Sequence, residues 1–164
     1  MRELYVIAHD MRSAFNVGSL FRTAEGLGVK KIFLTGYTPY PGSDDDKRLP
    51  HLSAKLDAQI DKTALGATKT QPWEYIENID DVIDDLTKKG VQVVALEQTG
   101  RAVAITEFKA PDKVALVLGT EVTGLPKEVL DIIGAHIEIP MYGNKESFNV
   151  VQAAAMALFE LRFH

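Results

Sequence analysis

The chain has 164 residues, 46% of them apolar and 25% charged, with a formal net charge of −5 at pH 7 and no cysteine. That length suits one core of ordinary size, so a single domain over residues 1–164 is expected, and the composition excludes a disordered or fibrous chain. The missing cysteines exclude disulfide frameworks, thiolate zinc sites and cysteine nucleophiles, and the longest apolar run, Ala153 to Phe159, is far short of the ~20 residues that span a bilayer.

The opening Met-Arg-Glu-Leu-Tyr-Val-Ile-Ala is too short in its apolar part for a secretory signal and reads as a strand over Leu4–Ala8, so a reducing, cytoplasmic setting is expected. Val17, Leu20, Phe21, Ala24 and Leu27 then recur at helical spacing, with Asn16 as the candidate N-cap and Gly28 at the exit. Further apolar runs at Ile32–Thr35, Val91–Leu96, Val114–Leu118 and Ile137–Ile139 read as strands buried on both faces, the pattern of a parallel sheet covered by helices. Between Gly36 and Trp73 periodicity weakens and turn signals cluster at Pro39-Tyr-Pro-Gly42, which predicts an irregular excursion with short helices. A second long helix is expected from Asn78 to Lys89, and a third from Pro126 to near Gly134. The last is expected to begin with Ser147 as its N-cap. Val150, Val151 and the run from Ala153 to Phe159 would cover nearly its whole circumference, and a helix apolar all round needs cover all round. A second copy of the chain can supply that cover, giving a homodimer; burial within its own core is the alternative.

Three segments carry polar residues at strand-to-helix junctions or in loops leading to them. They are Asn16-Val-Gly-Ser-Leu-Phe-Arg22-Thr-Ala24, Leu118-Gly-Thr-Glu121-Val-Thr-Gly124-Leu-Pro, and Ile139-Pro-Met-Tyr-Gly143-Asn-Lys-Glu-Ser147-Phe-Asn149-Val. Taken singly they have plainer readings: Asn16 and Ser147 as helix caps, Arg22 as an i,i+3 partner of Glu25, Glu121 as a loop residue. Gly119 and Gly124 have phosphate-loop spacing, but Leu125-Pro126 replaces the Lys-Ser/Thr of such a loop. Gly26 and Gly28 sit at a helix end rather than after the first strand, which excludes a dinucleotide fingerprint. His9, His51, His136 and His164 are scattered without ligand spacing, so no metal site is expected and the histidines are assigned to surface or loops.

In this order and spacing the three segments resemble the motifs of the SpoU/TrmH family of RNA ribose methyltransferases, a branch of the SPOUT superfamily, over almost the entire chain. Phe148 departs from the leucine usual there. The resemblance implies an α/β fold, a SPOUT-type parallel sheet flanked by helices with a deep C-terminal trefoil knot, which no local argument would predict. It implies S-adenosylmethionine as cofactor, held by backbone groups at Leu96, Gly119, Ile139 and Ser147, with Met141 and Phe148 as apolar walls. Gly119 is expected to let the backbone approach the ligand.

The activity implied is methyl transfer to a ribose 2′-hydroxyl of RNA. A tRNA is favoured, since Lys62-Thr-Ala-Leu-Gly-Ala67 with Trp73-Glu74, and Leu96-Glu-Gln-Thr-Gly100, look most like the subgroup that methylates tRNA; rRNA is the second candidate. Arg22 is the residue expected to hold the ribose-phosphate and stabilise the developing alkoxide, oriented by Asn16, Glu121, Ser147 and Asn149; arginine is a poor base because its pKa exceeds about 12. A non-catalytic RNA-binding module that kept the fold is the alternative. The negative net charge argues against gripping RNA by bulk electrostatics. A local basic surface is therefore expected, with Arg12, Arg22, Lys47, Arg48 and Lys145 as candidates, while the runs Asp44-Asp45-Asp46 and Glu77 to Asp85 lie elsewhere.

Overall fold

The computed structural model describes residues 1–43 and 46–164, so Asp44 and Asp45 of the acidic run lie outside the described residues. Among the described residues seven strands, β1 (Glu3–His9), β2 (Lys31–Thr35), β3 (Trp73–Ile76), β4 (Gln92–Leu96), β5 (Val103–Ala104), β6 (Lys113–Leu118) and β7 (Ala135–Glu138), form one sheet in the order β3-β2-β1-β6-β4-β7-β5. Every pairing is parallel. Among the described residues four α-helices connect strands, α1 (Ala14–Gly26), α2 (Pro50–Ala64), α3 (Ile79–Lys88) and α4 (Lys127–Ile132), and a fifth, α5 (Val150–Phe163), follows β7.

The alternation of side chains along each strand explains why these segments are apolar throughout. On β1, Leu4, Val6 and Ala8 enter a core built with α1, α2 and α5, while Ile7 points the other way into a core built with α3 and α4. β1 and β6 lie side by side in the sheet, and Val6, Ala8, Val114, Leu116 and Val117 are wholly shielded from solvent. This is the parallel sheet flanked by helices that the resemblance implies. β4 and β5 are consecutive in the chain, yet β7 lies between them. The last strand thus occupies a place that the chain has already passed across.

Several local expectations are corrected. The N-cap of α1 is Ser13, whose Oγ accepts from Asn16 N at 3.2 Å, so Asn16 lies inside the first turn and its side chain is free for tertiary contacts. Likewise α5 is capped by Asn149, whose Oδ1 accepts from Val151 N at 2.9 Å, and Ser147 sits in the preceding loop. Pro126 caps α4 from just outside it. The excursion after β2 contains the fifteen-residue α2, started by Pro50; its periodicity is faint because only Ile60 and Ala64 are buried. Ahead of α2, Tyr40 stacks on Tyr75 with centroids 4.1 Å apart, and the Arg48 guanidinium lies 3.8 Å over the Tyr40 ring. β3 and β5, four and two residues long, escaped the apolar pattern because they are sheet edges and only partly covered. His9 and His136 are buried strand residues rather than surface ones, each satisfied by a threonine hydroxyl at 2.9 Å, Thr35 and Thr99. Burial pushes the His9 imidazole below its usual pKa, against the pull of Asp10.

Nor is α5 covered all round. Val151, Ala154, Ala157, Leu158 and Leu161 are buried, but Met156, Phe159 and Phe163 form an exposed stripe, 39%, 52% and 62% accessible. α1 and α5 lie side by side and parallel. Asn149 Nδ2 donates to Asn16 Oδ1 at 3.4 Å near their starts, and near their ends Arg162 donates to Leu27 O at 3.0 Å and Gly28 O at 2.7 Å.

Candidate functional site

The C-terminal ends of β4, β6 and β7 and the loops that follow them enclose a cavity of about 300 Å³. This is where a parallel sheet opens a crevice for ligands, because the strand ends and their loops diverge there. Leu96, Gly119, Glu121, Ile139, Ser147 and Phe148 all line it. Met141, Arg22, Asn16 and Asn149 do not. The second and third sequence segments therefore meet at one cavity, while the first stands beside it.

The loop after β6 is a tight reversal. Thr120 and Gly124 exchange backbone hydrogen bonds at 3.1 and 3.2 Å, and the Thr120 and Thr123 hydroxyls lie 2.8 Å apart. A Cβ on Gly119 would stand 2.5 Å from Leu125 N and 2.7 Å from Gly124 O. Glycine is required there for the loop to close on itself, a reason that stands beside the expected approach of a ligand. Gly124 has φ +68 and lies against the Glu97 carboxylate.

Glu97 is a residue that the sequence reading missed. Its Oε2 accepts from Leu125 N at 3.0 Å and its Oε1 from Gln98 N at 3.1 Å, so one side chain ties two walls of the cavity together. Gln98 in turn donates to Glu146 O at 2.9 Å, bringing in the third wall. The available signal was a pair of polar residues directly after a buried strand.

Glu121 links the cavity to the first segment. Its carboxylate accepts from Arg12 N, Ser13 N and Asn16 Nδ2, each at 3.0 Å, and Asn16 passes the connection on to Asn149. Partial burial works to raise the Glu121 pKa, but the bonds from Arg12, Asn16 and Ser13 together win and hold the carboxyl below its usual value. Arg22 is solvent-exposed on α1 and makes no ion pair among the described residues, so it is not the partner of Glu25.

The cavity's chemistry is selective. Glu97, Glu121, Glu138 and Glu146 border it, and among the described residues no lysine, arginine or histidine does. That field favours a cationic ligand and disfavours a polyphosphate. Among the described residues no cluster of carboxylates and histidines fits a metal ion.

Residues 3–159 match the model of the SpoU rRNA methylase family. The chain is 28% identical over 159 residues to the 23S rRNA (guanosine-2′-O-)-methyltransferase of Neisseria meningitidis, covering 97% of this chain and 58% of that protein. It is 28% identical over 162 residues to the tRNA (guanosine(18)-2′-O)-methyltransferase of Aquifex aeolicus, covering 97% and 68%. The AdoMet-bound rRNA methyltransferase of Sinorhizobium meliloti has the same fold with a TM-score of 0.80 at 28% identity, over 98% of this chain and 56% of that one. The chain thus spans between about half and two-thirds of the length of these relatives. Since the family match runs through all three motif segments and the sheet that carries them, the chain belongs to the SpoU rRNA methylase family.

Proposed function

We propose that the chain transfers a methyl group from S-adenosylmethionine to a ribose 2′-hydroxyl of RNA, with tRNA favoured over rRNA, and among tRNA sites a D-loop guanosine before the wobble nucleotide. The observation that carries this is the cavity bordered by four glutamates and no cation, with apolar walls at Leu96, Leu118, Ile139 and Phe148. The residues present fit a ligand with a sulfonium, an ammonium group and a flat apolar base. The relatives named above act on tRNA or rRNA guanosine, and the Sinorhizobium protein holds AdoMet. RNA of the translation machinery implies a cytoplasmic place of action.

When bound, S-adenosylmethionine supplies an activated methyl group. The chain's own task is to place the acceptor and help it lose a proton. Leu96, Gly119, Ile139 and Ser147 line the cavity, and their backbone groups would hold the cofactor's polar edges. Glu121, Asn16 and Asn149 form a hydrogen-bonded chain from the cavity wall to the start of α1. That chain sets the position of the helix on which Arg22 rides, and Arg22 stabilises charge on the attacking oxygen.

Arg22 is absent from the lining of its own chain's cavity, which favours a homodimer with composite sites. α1 and α5 lie side by side, so exposed Arg22 and the Met156, Phe159, Phe163 stripe lie on neighbouring helices. A second copy on that stripe would receive Arg22 at its cavity. The placement of β7 between β4 and β5 is also what a threaded C-terminal segment requires, and supports the trefoil knot.

Two measurements test the activity. S-Adenosylmethionine is expected to raise the melting temperature, and labelled methyl groups should appear in RNA as alkali-resistant 2′-O-methylnucleosides. Stabilisation without transfer to tRNA or rRNA would instead leave a binding module.

A further inference from the structure

α3 carries Asp80, Asp81, Asp84 and Asp85 and packs with α4 on one face of the sheet, while α1, α2 and α5 cover the other. On α2, His51, Lys55, Ala58 and Lys62 follow one another at i, i+4, i+7 and i+11, which places them on a single stripe opposite buried Ile60 and Ala64. All four are exposed. Lys30, Lys31, Lys89 and Lys127 are each paired with a carboxylate, whereas Lys55 and Lys62 make no ion pair among the described residues. The two carboxylates of α2 are turned aside: Asp57 accepts from Gly42 N at 2.6 Å and Asp61 from the Thr68 hydroxyl at 3.1 Å.

The stripe continues onto α1. Lys62 Nζ lies 5.7 Å over the ring of Phe15, which is 42% exposed, and Thr63 donates to Phe15 O at 2.7 Å. Phe15 and Arg22 are seven residues apart on α1 and share a face. α2 approaches α1 closely at Gly18, where a Cβ would strike α2, so the two helices hold a fixed relation.

We propose that this strip, from His51 and Lys55 through Lys62 and Phe15, is the surface on which RNA docks and along which it is led to Arg22. The proposal rests on the reading that the chain acts on RNA. Unpaired lysines in line offer contacts to a phosphate backbone, and an exposed aromatic ring beside them offers a base a stacking partner. The acidic face of α3 repels the same strand and fixes which side it meets.

The test is binding of bulk tRNA by fluorescence anisotropy at graded salt, beside methyl transfer. Lys55→Glu with Lys62→Glu is expected to weaken affinity about tenfold or more and to lower the slope of log affinity against log salt by about 2. S-Adenosylmethionine affinity and melting temperature should stay parental. Lys55→Ala with Lys62→Ala should shift both quantities the same way by less. Phe15→Ala should weaken binding without changing the slope, because stacking carries no charge, and Phe15→Tyr should restore it. Lys88→Glu on α3 is the control and should change neither. If the parent methylates RNA and the double glutamate variant binds with parental affinity and slope, the strip is wrong while the activity stands. A parent that binds S-adenosylmethionine but neither binds nor methylates RNA overturns both.

Discussion

At Glu121 a single carboxylate borders the cavity and also receives three donors from the start of α1. Glu121→Gln keeps the shape, removes the charge, and turns one acceptor into a donor facing other donors. A cost of about 1–2 kcal/mol at pH 7 is expected. The folded carboxyl titrates below its ordinary value of 4.5, so its stabilisation is fully present above that value and fades as pH falls through the lower folded pKa. Urea unfolding of parent and variant should therefore differ at pH 7 and converge in acid once pH has fallen through the lowered pKa of the folded carboxyl. A gap that stays constant would assign the loss to packing. Gly119→Ala belongs to the same scale. Its Cβ would press on Leu125 N and Gly124 O, so a loss of about 1–3 kcal/mol in stability is expected together with weaker S-adenosylmethionine binding in calorimetry. Undiminished stability with weakened binding would return the glycine to direct ligand contact.

At the scale of elements, the parallel pair α1 and α5 is held at its far end by Arg162. Its guanidinium is largely buried and donates to Leu27 O, Gly28 O and, at 2.5 Å, to Arg2 O, with no carboxylate among those partners. Arg2 answers by donating to Leu161 O at 3.0 Å, so the two ends of the chain clasp each other. Arg162→Met would strip three carbonyls of their donor, and a loss of about 3 kcal/mol in urea unfolding is expected. Arg162→Lys should recover little of it, since one ammonium group cannot reach three carbonyls in a plane. In the sequence Arg162 reads only as a basic residue in a last helical turn. Its value comes from three acceptors that sit about 135 to 160 positions away.

For the whole molecule, the proposed composite site carries its own prediction. Arg22→Ala should abolish transfer while leaving S-adenosylmethionine affinity intact, and Arg22→Lys should rescue poorly because it lacks the planar fork. Chains bearing Arg22→Ala, refolded in equal amounts with chains whose cavity loop is distorted by Gly119→Val, should regain about a quarter of parental activity, because half the dimers are mixed and each has one intact site of two. Sites built within one chain would regain nothing, with mixed dimers confirmed by tagged pull-down.

The central strands, α1, α3 and the three motif loops were legible from residue order alone, because a strand buried on both faces must be apolar throughout and a helix with one buried face must show it every three or four residues. The residues lining the cavity from the second and third segments were reached through the family resemblance, and the sheet shows why they meet: a loop that leaves a buried parallel strand opens onto the same edge of the sheet. What the sequence left open was everything decided across distance. Ser13 and Asn149 took the caps expected of Asn16 and Ser147, because tertiary bonding drew Asn16 toward Glu121 and Asn149. Arg48, expected to face RNA, is bound to Asp46 and stacked on Tyr40, while Lys55 and Lys62 became a strip only once α2 existed as a helix. Sequence fixes the period and chemistry of each segment, which are local properties. Which carboxylate meets which amide, and which cation is left without one, depends on pairs of residues far apart in the chain that the sheet order β3-β2-β1-β6-β4-β7-β5 alone brings together.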